Sequence, residues 1–176
     1  MAVTVRPIRA EEYATAGRLV VAAYRSIPGN HMSGGYAEQL AAVGRRAVEA
    51  EVLVAVETLP GQGPAIERIV GCVTFVPDRR SAWAEMLVDG EASIRMLAVD
   101  PTVQGRGAGQ ALLDACLARA VELGRRAVFL HSTPYMTSAH RLYQRAGFAR
   151  VPERDWVPVP GVELLAFRLE LPARPG

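Results

Sequence analysis

Three glycines stand at alternate positions in the stretch VDPTVQGRGAGQALLDACLARAVELG, which runs from Val99 to Gly124. They are Gly105, Gly107 and Gly109, and an amphipathic helix is predicted to begin among them. Because glycine is the poorest helix former after proline, such a concentration at a helix start needs a reason. Free backbone amides and the helix dipole at this point favour an anion such as a phosphate or pyrophosphate. The alternative is that the glycines only allow close packing of strand and helix.

Two familiar phosphate-binding loops do not match this stretch. A P-loop needs a lysine followed by serine or threonine after its last glycine, and no such pair follows here. The dinucleotide-binding fingerprint needs a third glycine where Gln110 stands. It also needs an acidic strand end about 20 residues further on, where the sequence reads AVFLHS. The loop therefore belongs to neither class.

The elements around the loop alternate between strands and helices. Apolar patterning predicts strands at residues 3–8, 52–57, 68–77, 92–99, 127–131 and 162–171. It predicts helices at residues 10–27, 36–50 and 137–146, and one from the glycine loop to Leu123. No repeat or low-complexity linker interrupts the chain. We therefore expect a single domain over residues 1–176, of mixed α/β (α+β) class with one central sheet.

Composition narrows the class of protein. Half of the 176 residues are apolar, 22 % are charged and the net charge is +2, with no basic stripe that would indicate nucleic acid. The N-terminal residues do not resemble a signal peptide, and no apolar run is long enough to cross a membrane. Cys72 and Cys116 each lie in an apolar pattern and are expected to be buried free thiols. These features predict a cytoplasmic protein without a metal.

Two patterns resemble signatures of one enzyme superfamily. The first is Gln104-x-x-Gly107-x-Gly109, which follows a strand reading LAVDP at residues 97–101. The second is A-x-x-L-Y-x-x-x-G-F at residues 139–148. Together with the order of the predicted elements, they resemble the GCN5-related N-acetyltransferase (GNAT) superfamily over nearly the whole chain. The resemblance implies a mostly antiparallel sheet flanked by helices and splayed between the strand 92–99 and the strand 127–131.

The resemblance also implies acetyl-CoA as cosubstrate. The backbone of Leu97, Ala98 and Val99 would bind the pantetheine arm in the splayed slot, and the amides of the glycine loop would bind the pyrophosphate. The loop residues implied in binding are Gln104, Gly105, Arg106, Gly107, Ala108, Gly109 and Gln110. Arg106 would add a charged contact to the cofactor, or it is a solvated loop arginine.

Two residues are implied in proton transfer. Tyr143 stands at the position of the family's general acid, which protonates the departing CoA thiolate. It also lies on the apolar stripe of its helix and could be a core tyrosine. His131 ends a strand at the position where one branch of the family, which acetylates protein N-termini, uses a glutamate as the catalytic base. It is either the base for the amine or a histidine hydrogen-bonded at the sheet end.

Further residues border the predicted site. Glu85 and Glu91 are weaker candidates for the base, and His31 and Tyr36 lie where the family commonly meets its acceptor. His140 is expected to be solvated on the polar side of its helix. Met136 replaces an asparagine that is frequent in the family, which leaves any contact by that side chain open.

The predicted function is transfer of an acetyl group to a primary amine of a small molecule or a protein. The alternatives are a non-catalytic acyl-CoA-binding regulatory module of the same fold and a binding protein for another phosphorylated ligand. Neither a nucleic acid nor a membrane is an expected partner. The sequence leaves the acceptor and the oligomeric state open, and a homodimer is compatible with it.

Overall fold

Eight strands and five α-helices form the part of the chain that the computed structural model describes, residues 3–32, 35–59 and 65–172. The strands are β1 (Val3–Pro7), β2 (Glu51–Leu59), β3 (Ile66–Val76), β4 (Glu91–Val99), β5 (Ala127–Ser132), β6 (Ala149–Arg150), β7 (Trp156–Val159) and β8 (Val162–Glu170). The helices are α1 (Tyr13–Arg25), α2 (Tyr36–Ala41), α3 (Val43–Glu49), α4 (Ala108–Glu122) and α5 (Thr137–Arg145). Short 3-10 helices lie at Ala10–Glu12, Pro101–Val103 and Pro152–Arg154.

The strands form one mixed sheet in the order β1-β2-β3-β4-β5-β8-β6, with β7 paired to β8. Its neighbouring strands are antiparallel except for the central pair β4 and β5, which are parallel. The predicted fold class, a mostly antiparallel sheet flanked by helices, is therefore confirmed. The sheet is open.

The parallel pair separates along its length. Glu91–Ser93 of β4 pair with Ala127–Phe129 of β5, although β4 continues to Val99 and β5 to Ser132. The predicted splay between these strands is therefore present. It leaves one backbone edge of each strand free at the carboxyl ends.

A bulge in β4 coincides with the separation. Cys72 of β3 pairs with Ala98, but Thr74 pairs with Arg95, so β4 contains one more residue than β3 over this interval. Met96 lies within the bulge and has a φ of 52°, which is unusual for a residue with a side chain. Bulges bend a strand and increase its twist, and this bulge lies in the part of β4 that no longer pairs with β5.

Apolar clusters cover both faces of the sheet. Along β2, Val52, Val54 and Val56 pack with residues of α1, α2 and α3, whereas Leu53 and Ala55 pack with α4. This alternation is the period-two pattern of a strand buried on both sides. The two thiols predicted to be free and buried are so, one in each cluster.

The helix predicted over residues 36–50 is broken at Ala42, where ψ is 56°. Arg46 explains the break. Its side chain is fully buried and donates hydrogen bonds to the carbonyls of Gln39 (2.5 Å) and Leu40 (3.0 Å) and to Oγ1 of Thr74 (3.0 Å). These carbonyls near the end of α2 thus find a partner outside a continuous helix.

The described helices include none long and apolar enough to cross a membrane. Within the same ranges, no group of three or more histidine, cysteine, aspartate or glutamate side chains could hold a metal ion.

Candidate active site

The glycine loop connects β4 to α4 with backbone that favours glycine. Gly105 and Gly107 have φ angles of 82° and 89°, and a Cβ added to either would meet nothing within 4 Å. The first hydrogen bond of α4 runs from the amide of Ala111 to the carbonyl of Gly107. The amides before Ala111 therefore have no carbonyl within the helix to bind. Free amides at a helix start are suitable for an anion, and the open space beside these two glycines leaves the loop accessible.

Gly109 has a different environment from the other two glycines. A Cβ there would lie 3.5 Å from Val99, 3.6 Å from Leu142 and 4.0 Å from Leu97. Its missing side chain thus faces packed residues rather than open space, which is the packing alternative raised by the sequence. These contacts show that the glycine loop, the end of β4 and α5 meet at this position.

Two polar loop residues already have protein contacts. Nη1 of Arg106 lies 4.0 Å from Oε1 of Glu57, a carboxylate whose side chain is nearly buried. Nε2 of Gln110 donates a hydrogen bond to Oδ1 of Asp114 at 2.8 Å. The Arg106 side chain is more than half exposed, so its guanidinium could also approach a phosphate bound at the loop.

A cavity of about 80 Å³ lies where β4 and β5 separate. Its charged or titratable lining includes Glu85, Arg95 and His131. The complete lining is Tyr24, Tyr36, Glu85, Ser93, Ile94, Arg95, Met96, His131, Ser132, Thr133, Met136 and Leu164. Tyr143 is not part of this lining, and His31 is exposed elsewhere.

A larger groove of about 770 Å³ runs along the outer side of α1 and reaches Ala41. Its lining includes Arg18 and Arg25 but neither a carboxylate nor a histidine. This groove therefore has no pair of groups for acid–base chemistry, in contrast to the smaller cavity.

His131 is held by a single backbone carbonyl. Its Nε2 lies 2.9 Å from the carbonyl oxygen of Arg154. Since a carbonyl only accepts, Nε2 carries the proton, and in the neutral ring Nδ1 keeps its lone pair. The ring stands edge-on to Phe129 with centroids 4.9 Å apart, and Trp156 lies at 6.1 Å. Of the two alternatives raised by the sequence, the hydrogen bond at the sheet end is present, and it leaves Nδ1 able to accept a proton.

Tyr143 lies in the core beside the glycine loop. It is 6 % exposed, and its ring packs on Phe148 (5.7 Å) and Phe167 (6.1 Å). Burial raises the pKa of its hydroxyl, and the nearby Cys116 acts in the same direction. The phenol therefore remains protonated at neutral pH and can give a proton but not take one. Its core packing is compatible with either of the two roles considered from the sequence.

Two other predicted residues line the cavity. Glu85 forms an ion pair with Arg95 at 2.7 Å, and Arg95 also donates to the carbonyl of Trp83 at 2.9 Å. Tyr36 stands edge-on to Tyr24 with ring centroids 6.1 Å apart. The carboxylate of Glu85 is thus already compensated by a guanidinium.

Glu91 is unsuitable as a base. It is 1 % exposed and accepts two hydrogen bonds of 2.9 Å from Arg154 and one of 2.8 Å from Arg168. Burial alone would raise the pKa of this carboxyl, but the two guanidinium groups lower it below its usual value. The carboxylate is therefore held charged in a network behind the cavity.

The expectation that His140 is solvated is wrong. Its Nε2 lies 3.1 Å from Oγ of Ser132, and its ring packs against Phe167 with centroids 5.0 Å apart. Burial lowers the pKa of this imidazole. The sequence pattern assigned the residue to the polar side of α5, but the end of the sheet covers that side.

Several residues at the cavity were missed from the sequence. Arg95 had a signal, since it is an isolated charge within the otherwise apolar run ASIRMLAV. Oγ1 of Thr133, which lines the cavity, is buried without a hydrogen-bond partner among the described residues. A bound group could supply that partner. Arg154 had no local signal, because its importance comes from contacts with distant parts of the chain.

Sequence comparison identifies relatives over part of the chain. A sequence model described as the acetyltransferase (GNAT) family matches residues 30–148. A mycothiol acetyltransferase of Geodermatophilus obscurus is 44 % identical over 76 residues, which is 40 % of this chain and 25 % of that protein. The chain thus matches a quarter or less of the length of such curated relatives.

Solved structures share the fold over the whole chain. A GNAT-family acetyltransferase of Staphylococcus aureus has a TM-score of 0.74 at 13 % identity and covers 97 % of this chain and 100 % of its own. The protein yncA of Salmonella typhimurium, solved with its cofactor acetyl-CoA, has a TM-score of 0.63 at 19 % identity. That match covers 100 % of this chain and 98 % of yncA. At these identities, the likeness shows the fold.

Proposed function

Because the chain belongs to the acetyltransferase (GNAT) family, we propose that it transfers the acetyl group of acetyl-CoA to a primary amine by direct attack. One observation supports this more than any other. The parallel strands β4 and β5 separate after Ser93 and Phe129, and the glycine loop follows the free end of β4. An extended thioester arm could lie in the gap while its pyrophosphate end meets the loop.

The residues present fit acetyl-CoA. The backbone of Leu97, Ala98 and Val99 lies beyond the last β4–β5 pair and would bind the pantetheine arm. The loop from Gln104 to Gln110 offers the amides for the pyrophosphate, with open space in front of two of its glycines. Acetyl-CoA, when bound, supplies a thioester whose carbonyl carbon an amine can attack.

His131 would accept the proton that the amine loses. As the amine nitrogen forms its bond to the acetyl carbon, Nδ1 of His131 takes a proton from that nitrogen, directly or through one water. The Nε2–H bond to the Arg154 carbonyl supports this assignment, because it leaves Nδ1 as the accepting nitrogen.

Tyr143 would take part in a second proton transfer, as the donor to the leaving group. When the carbon–sulfur bond breaks, CoA leaves as a thiolate, and the buried phenol can protonate its sulfur. Burial, which raises the pKa of Tyr143, keeps the phenol protonated, so its hydroxyl has a proton to donate. The net result is an acetylated amine and CoA in its thiol form, after which His131 releases its extra proton to solvent and Tyr143 regains one from it.

The size of the cavity between β4 and β5 limits which part of the acceptor can lie inside it. The cavity between the separated strands is small, about 80 Å³, and partly open to solvent. It would therefore hold the amine and the adjacent carbons, while the rest of a small molecule or a protein segment lies outside. Several polar groups at its wall could orient these atoms, among them the Glu85–Arg95 ion pair and Oγ1 of Thr133.

An acceptor screen tests the proposal. Purified protein is incubated with acetyl-CoA and a panel of amino compounds and peptides, released CoA is detected as free thiol, and acetylated products are identified by mass. We expect amine-dependent release that is strongly reduced in Tyr143→Phe. If acetyl-CoA binds but no amine in the panel increases thiol release above the amine-free rate, the non-catalytic acyl-CoA-binding module is favoured instead.

A further inference from the structure

The carbonyl that binds His131 belongs to a residue whose own side chain is firmly anchored. We propose that Arg154, clamped by Glu91, is a positioning residue that fixes the ring of His131 with Nδ1 directed to the acceptor amine. This proposal rests on the proposed function for its effect on turnover. The contact between ring and carbonyl is present in the protein itself, so it can be tested without turnover.

The guanidinium of Arg154 joins three parts of the molecule. Its Nη1 and Nη2 each donate to one carboxylate oxygen of Glu91 at 2.9 Å, and Nη2 also donates to the carbonyl of Met86 at 2.5 Å. Its Cζ lies 3.6 Å from the centroid of the Phe129 ring. The 3-10 turn that ends at Arg154 is therefore anchored to the start of β4, to the β3–β4 loop and to β5.

Glu91 makes this anchor rigid. It is 1 % exposed, and the paired geometry with Arg154 fixes the plane of the guanidinium as well as its position. A buried carboxylate cannot exchange this partner for water without a large penalty. The position of the Arg154 main chain is thus determined by a residue 63 positions earlier.

Phe129 packs against both the guanidinium of Arg154 and the imidazole of His131, so it also restricts the orientation of the imidazole. Arg154 lies over its face, and the ring of His131 stands at 81° to it with centroids 4.9 Å apart. With Nε2 bonded to the carbonyl and one side against Phe129, the imidazole has one favoured orientation. A shift of the carbonyl by about 1 Å would break the bond, and errors of this size cost up to about 100-fold in rate.

Arg168 provides a matched control. It donates from Nε to the same carboxylate at 2.8 Å, and its side chain is 24 % exposed compared with 19 % for Arg154. Replacing either arginine by methionine removes one guanidinium from Glu91 and keeps most of the apolar stem. Of these two arginines, Arg154 is the one whose main-chain carbonyl binds the ring of His131.

The experiment compares Arg154→Met with Arg168→Met by NMR of the imidazole nitrogens. The chain has three histidines, so His131→Gln assigns the signals of His131. We expect the wild type and Arg168→Met to show His131 with an Nε2–H that the Arg154 carbonyl protects from exchange. In Arg154→Met, that proton should exchange rapidly and the ring should populate both tautomers. Arg154→Lys, which keeps a cation beside Glu91, should give an intermediate spectrum if Arg154→Met does not fold.

Turnover gives the second measurement. Arg154→Met should lower kcat by about 10- to 100-fold with little change in the KM for acetyl-CoA, while Arg168→Met stays within about twofold of the wild type. Identical His131 signals in Arg154→Met or Arg154→Lys and in Arg168→Met would overturn the positioning role. Arg154→Met could lose the protected signal while even the wild-type protein releases no CoA with any amine. That result would contradict the proposed function and leave the positioning role intact.

Discussion

Tyr143 is a residue whose hydroxyl can be removed with little loss of packing, because its ring is enclosed by the core. We expect Tyr143→Phe to lower kcat by about 100-fold or more, since the departing thiolate loses its proton donor. Acetyl-CoA affinity should change little. Steady-state kinetics with an acceptor whose chemistry limits the rate, together with calorimetric titration of acetyl-CoA, measures both.

Tyr24→Phe is the matched control for this variant. Tyr24 is also 6 % exposed, but it lines the cavity between β4 and β5 that we propose for the acceptor, so its hydroxyl should affect acceptor KM more than kcat. Equal kcat in Tyr143→Phe and the wild type would show that the Tyr143 hydroxyl takes no part in the reaction and that the residue only packs in the core.

His131→Gln tests the base. We expect kcat/KM of the wild type to increase as the pH rises and the base becomes able to accept the amine proton. The variant should lack this rise and lose about 100- to 10,000-fold at neutral pH. Part of the loss should return at alkaline pH, where more of the amine is already unprotonated. His140→Gln, which alters the other partly buried imidazole, should keep the pH-dependent rise.

The candidate site residues that a sequence can suggest are those with a local signature. Gly107 and Tyr143 stand in short patterns whose spacing follows from one loop or one helix turn. Arg154 and Glu91 do not, because their contact joins segments 63 residues apart. A sequence shows that a residue is charged, but it does not show which buried partner the fold brings to it.

Helix α4 begins and ends with a left-handed glycine, and this gives a sharp test of the loop. Gly107 has a φ of 89° at its start and Gly124 a φ of 66° after its end, and an added Cβ meets nothing within 4 Å at either. We expect Gly107→Ala to weaken acetyl-CoA binding by about 10-fold or more, since a methyl group would occupy the space of the anion. Calorimetric titration gives the affinities.

Gly124→Ala controls for the strain of a left-handed alanine, which costs about 1 kcal/mol at either site. It should reduce stability about as much as Gly107→Ala but leave acetyl-CoA affinity unchanged. Equal affinities in the two variants and the wild type would show that the pyrophosphate binds elsewhere.

Among the elements, those with long apolar periodicity were predictable. Helices α1, α4 and α5 lie within or close to the predicted ranges, and so do the six longer strands. Strand β6 has two residues and β7 has four, which is too short for an alternating pattern to be recognised. The division of residues 36–50 into α2 and α3 depends on the buried Arg46, whose role follows from tertiary packing.

For the molecule as a whole, the Glu91 network predicts a response to acid. Because the pKa of Glu91 is lowered in the fold, its carboxylate contributes stability above the unfolded value of about 4.3, and this is lost as the pH falls through the folded pKa. Glu91→Gln should cost about 3 kcal/mol at pH 7 and less at low pH. Urea unfolding at both pH values measures this difference.

Glu170→Gln is the control for the acid response. Glu170 also pairs with Arg168, but its side chain is 72 % exposed, so its removal should change stability little at either pH. If the difference in the free energy of unfolding between Glu91→Gln and the wild type does not become smaller in acid, the network stabilises the fold by packing alone.

The central claim is that acetyl-CoA binds between the separated ends of β4 and β5 with its pyrophosphate on the glycine loop. Amide hydrogen exchange along the whole chain, with and without saturating acetyl-CoA, tests it most directly. We predict slower exchange at residues 95–110 and 127–133, and no change along the groove on α1. Protection confined to α1, or none in the glycine loop under saturating acetyl-CoA, would contradict the account.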